Sequence, residues 1–130
     1  MFIFEGGEEM AFAINSIGLY GLHAFLVEVE ADVSFGKFKF DIVGLPDAAV
    51  SESRERVRAA IKNSGYAFSN NHITVNLAPA DVRKEGPIYD LPIFVALLKA
   101  TGQLKANVSD SAFVGELALS GQIRPINGVL

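Results

Sequence analysis

The amino-acid sequence predicts an α+β fold in which a mixed β-sheet is covered by two main helices. Three observations support this class: segments in which apolar and polar residues alternate, two amphipathic segments of helical length, and glycine, proline or aspartate breaks between them. At 130 residues, 50% of them hydrophobic, the chain is long enough to bury one core and too short for two. We therefore expect a single domain over residues 10–130, preceded by an acidic leader at residues 1–9.

The strands are predicted from their period of two. Residues 10–16 and 22–34 form the first two, and in the second Val27 and Val29 alternate with glutamates, so one face of the sheet is expected to be wet. Further strands are predicted at residues 38–43, 73–77, 113–119 and 122–126, and a tight turn joins the last two.

Two helices complete the order β-β-β-α-β-α-β-β. The first is expected to begin with Asp47 as its N-cap, after a glycine and proline break, and to run to about Ser64. The second is capped by Asp90 and ends at Gly102. Asp41 is expected to form a turn. This order predicts a sheet with its helices on one face.

Composition and charge exclude several classes of protein. A net charge of −4 and a pI near 5.1 mean that any contact with nucleic acid must come from a local basic patch. No apolar stretch approaches the roughly 18 residues that span a bilayer, so we expect a cytoplasmic protein without membrane contact. With no cysteine and two histidines, no metal site is expected.

The first helix carries a row of cations, Arg54, Arg58 and Lys62, at positions i, i+4 and i+8. Like charges at this spacing repel by about a few tenths of a kcal/mol per pair, so an external anion or an acidic partner would relieve them. An ordinary solvated face is the alternative, in which Glu55 pairs with Arg58 and Glu52 pairs with Arg56.

A second candidate for anion binding is the loop that carries Arg83 and Lys84. It lies between a buried strand and the start of a helix, where free backbone N–H groups often bind anions. The loop lacks the G-x-x-x-x-G-K-[ST] spacing of a phosphate loop, so ATP is not expected to bind this domain. His23 and His72 flank strands and lack a positioned partner, so neither is expected to be a catalytic base.

Three long motifs follow one another along the chain. The first covers residues 40–58 and begins Phe-Asp-Ile-Val-Gly-Leu-Pro-Asp, the second covers residues 73–93, and the third covers residues 115–130. In this order they closely resemble the magnesium-chelatase-like AAA+ ATPases of the ComM/YifB type. The resemblance covers about residues 11–130, and the leader falls outside it.

The resemblance implies an N-terminal domain with the fold of the Lon protease's proteolytic domain, followed beyond residue 130 by an AAA+ domain that binds ATP and Mg. Such proteins resemble hexameric DNA motors that drive branch migration during recombination of taken-up DNA. The implied partners are the AAA+ domain of the same chain, further copies in a ring, and single- or double-stranded DNA. Phosphate or partner contacts are then expected from the cations of the first helix and of the loop, Arg54, Arg58, Lys62, Arg83 and Lys84. A protein-interaction domain without DNA contact and an atypical ATP-dependent protease domain remain alternatives.

The protease alternative depends on two positions. Active Lon-type domains carry Lys-Asp-Gly-Pro-Ser, in which the serine is the nucleophile, and a lysine base after a later hairpin. Here the matching run is Lys84-Glu85-Gly86-Pro87-Ile88, and the position of the lysine falls on Leu130. Neither hydrocarbon side chain can attack a carbonyl or accept a proton, so no catalytic residue is expected.

Overall fold

Residues 10–84 and 86–125 are described by a computed structural model of the chain; the leader, Glu85 and Leu130 lie outside these ranges. β1 (Met10–Tyr20) and β2 (His23–Ser34) form a long antiparallel hairpin, followed by β3 (Lys39–Val43) and β4 (His72–Ala78). β4 pairs antiparallel with β2 and parallel with β3, which gives the order β1-β2-β4-β3. The predicted mixed sheet is confirmed.

Two helices and a small second sheet complete the fold. α1 (Asp47–Asn63) precedes β4, and a short 3-10 helix, Pro87–Tyr89, leads into α2 (Asp90–Ala100). β5 (Glu116–Leu117) and β6 (Ile123–Arg124) pair antiparallel in a sheet of their own. The predicted order of elements is confirmed, although the last two strands are much shorter than expected. No helix within the described ranges is both long and apolar enough to cross a bilayer.

The core lies on one face of the four-stranded sheet. Alternate residues of β2 and β4, Val27, Val29, Val75 and Leu77 among them, are fully buried there. α1 and α2 both contribute side chains to this same cluster, so the two helices cover a single face. Each fully buried Val, Leu or Ile stabilises the fold by about 1.5–3 kcal/mol. The glutamates of β2 are exposed on the opposite face, which confirms the predicted wet face.

The predicted roles of three aspartates are wrong. Asp47 and Asp90 are the first residues inside their helices, where Pro46 and Tyr89 take the N-cap positions and no side-chain cap forms. A carboxylate in the first turn still interacts favourably with the helix dipole. Asp41 lies within β3, where its Oδ2 is 3.3 Å from the Lys39 ammonium, so it extends the strand and forms no turn.

Candidate functional site

The region that matches the Lon dyad is built around Ile88 in the 3-10 helix. The Gly115 N–H donates to the Ile88 carbonyl at 2.8 Å, and the Leu91 N–H donates to the Gly115 carbonyl at 2.9 Å. The backbone therefore brings the 3-10 helix against the segment that leads into β5. At the nucleophile position the Ile88 side chain packs half-buried against the core. Leu130, the matching base position, lies outside the described residues.

A buried ionic network lies beside Ile88 and centres on Asp90, which is 1% exposed. Its carboxylate accepts hydrogen bonds from the Ser53 hydroxyl at 2.9 Å, from Arg56 Nε at 2.6 Å and Nη2 at 3.2 Å, and from the Leu117 N–H at 3.2 Å. The hydrogen bond to Asp90 raises the pKa of Arg56, although burial opposes this shift. Because the donors come from α1 and β5, Asp90 joins these elements to α2.

The sequence interpretation missed this network, because it paired Arg56 with Glu52. That pair is present but long, at 3.9 Å, and Glu52 is largely exposed. A signal was available in α1, since Ser53 lies one turn before Val57 on the buried side of the helix. A polar side chain at a core position requires a buried partner.

A shallow cavity of about 350 Å³ borders this network. Glu52 and Glu116 line it, together with Arg56, Ala49, Gly86 and Pro87. The charge of Arg56 is already compensated by Asp90, so the two glutamates leave the cavity unfavourable for phosphate.

Lys84 does not face solvent, so the structure does not favour its predicted role in phosphate contact. The residue is 2% exposed, and its ammonium donates hydrogen bonds to the carbonyls of Pro79 and Val82, the latter at 2.7 Å. Burial lowers the pKa of Lys84. The ammonium joins two carbonyls of its own loop and is shielded from anions in solvent. Arg83, next to it in the loop, is exposed.

The cation row of α1 is present on the surface. Arg58 and Lys62 are exposed, and Arg54 is half-buried with its Nη1 donating to the Phe40 carbonyl at 3.0 Å. The predicted pair of Glu55 with Arg58 is not formed in the described ranges. Instead, the Arg58 guanidinium lies over the rings of Phe38 and Phe68, 5.8 and 5.7 Å from their centroids. These distances are within the roughly 6 Å of a cation–π contact.

No set of three or more histidine, cysteine or acidic side chains suited to a metal ion occurs among residues 10–84 and 86–125. His23 is exposed in the hairpin. His72 Nε2 lies 4.0 Å from Asp41 Oδ2 at the edge of the sheet. The structure therefore presents two regions of interest, the degenerate dyad region and the cation row.

Residues 29–130 match the protein family described as "Subunit ChlI of Mg-chelatase". The chain belongs to this magnesium-chelatase family. It is 50% identical over 118 residues to YifB of Escherichia coli strain K12, a match that covers 90% of this chain and 23% of YifB. It is 47% identical over 111 residues to competence protein ComM of Haemophilus influenzae, covering 85% of this chain and 22% of ComM.

A weaker similarity, 29% identity over 125 residues, relates this magnesium-chelatase family member to Lon protease 3 of Sorangium cellulosum, covering 89% of this chain and 15% of that protein. The likeness is consistent with the α+β sheet and its two helices. The resemblance drawn from the three motifs is confirmed. The chain spans less than a quarter of the length of YifB, of ComM and of this Lon protease.

Proposed function

We propose that this chain is a non-catalytic N-terminal module of a ComM/YifB-type AAA+ ATPase, which aids ring assembly and DNA handling. The observation that carries the proposal is the exposed row of Arg58 and Lys62 on α1, with Arg54 beside it. The row gives an acidic chain a local cationic surface, which contact with a phosphate backbone requires.

The whole protein is proposed to act as a motor. A downstream AAA+ domain would bind ATP and Mg and hydrolyse ATP, and six copies would form a ring that drives branch migration during recombination and transformation. The motif resemblance supports this, as does the name of competence protein ComM, which is four to five times as long as the matched region. In such an assembly, this domain would guide DNA toward the motor.

Its lack of peptidase activity is proposed from the side chain of Ile88. The residue holds the place of the nucleophile and carries no atom that can attack a carbonyl. The carboxylate of Asp90, two residues further along, already accepts four hydrogen bonds. We expect unfolded protein and short peptides to survive incubation with the chain. Cleavage that persists through purification and is lost when Ile88 is changed to Asp would contradict this.

DNA contact is tested by removing the cations of α1. Changing Arg58 to Gln and Lys62 to Glu should weaken binding to both duplex and single-stranded DNA at low salt. The slope of log affinity against log salt should also fall by about one for each phosphate that the variant no longer neutralises. Fluorescence anisotropy over a salt series measures both. Lys105→Glu, a charge reversal outside the row that matches Lys62→Glu, is the control.

The second candidate function, protein interaction without DNA contact, is favoured by the tip of the β1–β2 hairpin. Leu19, Leu22 and Leu26 are 54%, 101% and 57% exposed there. Grouped exposed leucines often mark a protein contact. Analytical ultracentrifugation with and without DNA separates the two candidates, because only DNA contact predicts a DNA-dependent species that high salt dissociates.

A further inference from the structure

We propose that Phe38, Arg54 and Arg58 form a nucleobase-stacking pocket, which makes this domain prefer unpaired DNA strands to duplex. This inference rests on the proposed DNA contact of α1 and adds the class of DNA. The pocket is a shallow cavity of about 150 Å³ between β3 and α1. Its lining consists of two aromatic, two cationic and two other polar side chains, Phe38, Phe40, Arg54, Arg58, Ser51 and Glu55.

The aromatic surface is exposed and held in place. Phe38 is 46% exposed, whereas Phe40, two residues along the same strand edge, is buried. Phe68 packs against both rings, with centroids 6.0 Å from Phe38 and 5.4 Å from Phe40. Because Phe68 restricts the Phe38 side chain, a base can stack on the exposed Phe38 ring at little cost in side-chain entropy.

The cations lie where the sugar-phosphate backbone of a stacked nucleotide would run. The Arg58 guanidinium lies over the Phe38 ring, 5.8 Å from its centroid, so a cation and an aromatic ring already stand side by side at the pocket. Arg54 is anchored to the Phe40 carbonyl through one N–H and keeps its other donors. Lys62, one turn beyond Arg58, continues the charge along α1. Aromatic stacking beside a cationic track is how proteins bind single strands without sequence readout.

Glu55 determines which part of a nucleotide enters the pocket. Its carboxylate would repel a phosphate inside the cavity, so the phosphates are directed to the row outside. A base carries no such charge, and its ring N–H, as in thymine, or its amino group can donate to a carboxylate. The cavity is smaller than the roughly 300–1,000 Å³ of sites that enclose a whole small molecule, which favours one base of a longer strand.

Duplex DNA cannot use this pocket, because its bases are paired and stacked inside the helix and must be extruded at a cost of about a few kcal/mol. Duplex can still contact the row through its phosphates. The domain should therefore bind both forms of DNA, and the aromatic ring should add affinity for the single strand alone.

The test compares wild-type chain with Phe38→Ala, using anisotropy of labelled oligothymidylate and of a duplex of equal length. Loss of one stacked base should weaken single-strand binding by about tenfold and leave duplex binding within about twofold. Phe38→Leu keeps the packing on Phe68 but lacks the aromatic face, so it should show the same loss even if Phe38→Ala unfolds. Phe38→Tyr should retain wild-type binding, and Phe35→Ala, which removes an exposed ring outside the pocket, is the control.

The outcomes separate this inference from the proposed function. Equal effects of Phe38→Leu on both DNA forms, or no effect on either, would overturn the stacking pocket. The proposed DNA contact would still stand if Arg58→Gln with Lys62→Glu weakened binding. A wild-type chain that binds no DNA at low salt would overturn both. Thymidine monophosphate binding as tightly as the oligomer, or oligouridylate binding more tightly than oligothymidylate, would overturn the assignment to a DNA strand.

Discussion

At the scale of single residues, Asp90 holds three elements together. Changing it to Ala leaves the half-buried Arg56 without its nearest counter-charge and leaves Ser53 and the Leu117 N–H without their acceptor. Breaking a buried pair costs about 3–5 kcal/mol, and the partial exposure of Arg56 places this loss at the lower end of that range. Urea unfolding should show that loss, whereas Asp110→Ala, at an exposed site, should stay within about 0.5 kcal/mol of wild type. Near-equal midpoints for the two variants would contradict the network.

Lys84 separates a structural role from DNA contact. Lys84→Met removes the donor to the Pro79 and Val82 carbonyls, so we expect a loss of about 1–3 kcal/mol in the free energy of unfolding. DNA affinity of the folded variant should be unchanged, because the ammonium does not reach the surface. Arg83→Glu, at the exposed neighbouring position, is the matched comparison for DNA binding. Unchanged stability together with weaker DNA binding would show instead that Lys84 contacts DNA.

These residues show which parts of the site the sequence can predict. Gly44, in the glycine and proline break predicted before the first helix, has a φ of +105°, and a Cβ there would lie 2.6 Å from the Leu77 carbonyl oxygen. Such a turn is a local property of the chain. The burial of Asp90 depends on donors from segments far along the chain, and that of Lys84 on how its own loop folds back. Neither is visible in the local sequence, where the two charges predicted a solvent-exposed lysine and a helix-capping aspartate.

At the scale of elements, the β1–β2 hairpin extends beyond the sheet that supports it. β4 pairs with β2 only from Glu28 onward, so the strands on either side of the turn form a two-stranded ribbon. Such ribbons are marginally stable in water, and this one carries Leu22 and Leu26 in the open. The tip is therefore the surface that we expect to contact a second copy in ring assembly.

Charged substitutions test this contact. In the proposed protein that also carries the AAA+ domain, Leu22→Asp with Leu26→Asp should reduce self-association, measured by sedimentation velocity. A charge in an apolar contact must be desolvated, which weakens the contact. The monomer should keep its stability within about 0.5 kcal/mol per change because both side chains are exposed. Phe35→Asp, at an exposed site off the hairpin, is the control. Unaltered association would leave the tip without a role in assembly.

The elements also show where alternation misleads. A strand was predicted over residues 113–119, but the Phe113 N–H donates to the Asn15 carbonyl at 2.9 Å and the Phe113 carbonyl accepts from the Ser16 hydroxyl. The start of the predicted strand is thus bound to the edge of β1, and only Glu116–Leu117 remains to pair with β6. The pattern located an extended segment correctly and could not indicate its partner.

At the scale of the whole molecule, the surface charge is divided between two sides. The wet face of the sheet carries the glutamates of β2, and the cation row lies on α1, which covers the other face. The net charge of −4 conceals this division. A molecule divided in this way would approach DNA with α1 first, because the acidic face is repelled.

The alkaline stability of the molecule is set in part by Tyr89, which is 2% exposed and whose pKa is raised from 10.0 by burial. Above about pH 10 the unfolded chain releases this proton while the folded chain keeps it, so the stability falls as pH rises. Lys84 acts in the opposite direction, since its lowered pKa makes the unfolded chain bind more protons just below pH 10.5.

The two contributions can be separated by urea unfolding at a series of pH values from about 9 to about 11. Relative to wild type, Tyr89→Phe should lose less stability above pH 10, because the ring stays and the titrating hydroxyl is gone. The free energy of unfolding of Lys84→Met should lack the rise with pH that Lys84 causes just below pH 10.5. Tyr66→Phe, at an exposed tyrosine, is the control for removal of a tyrosine hydroxyl. If the Tyr89→Phe and wild-type curves run parallel through this range, the Tyr89 hydroxyl titrates alike in the folded and unfolded chains.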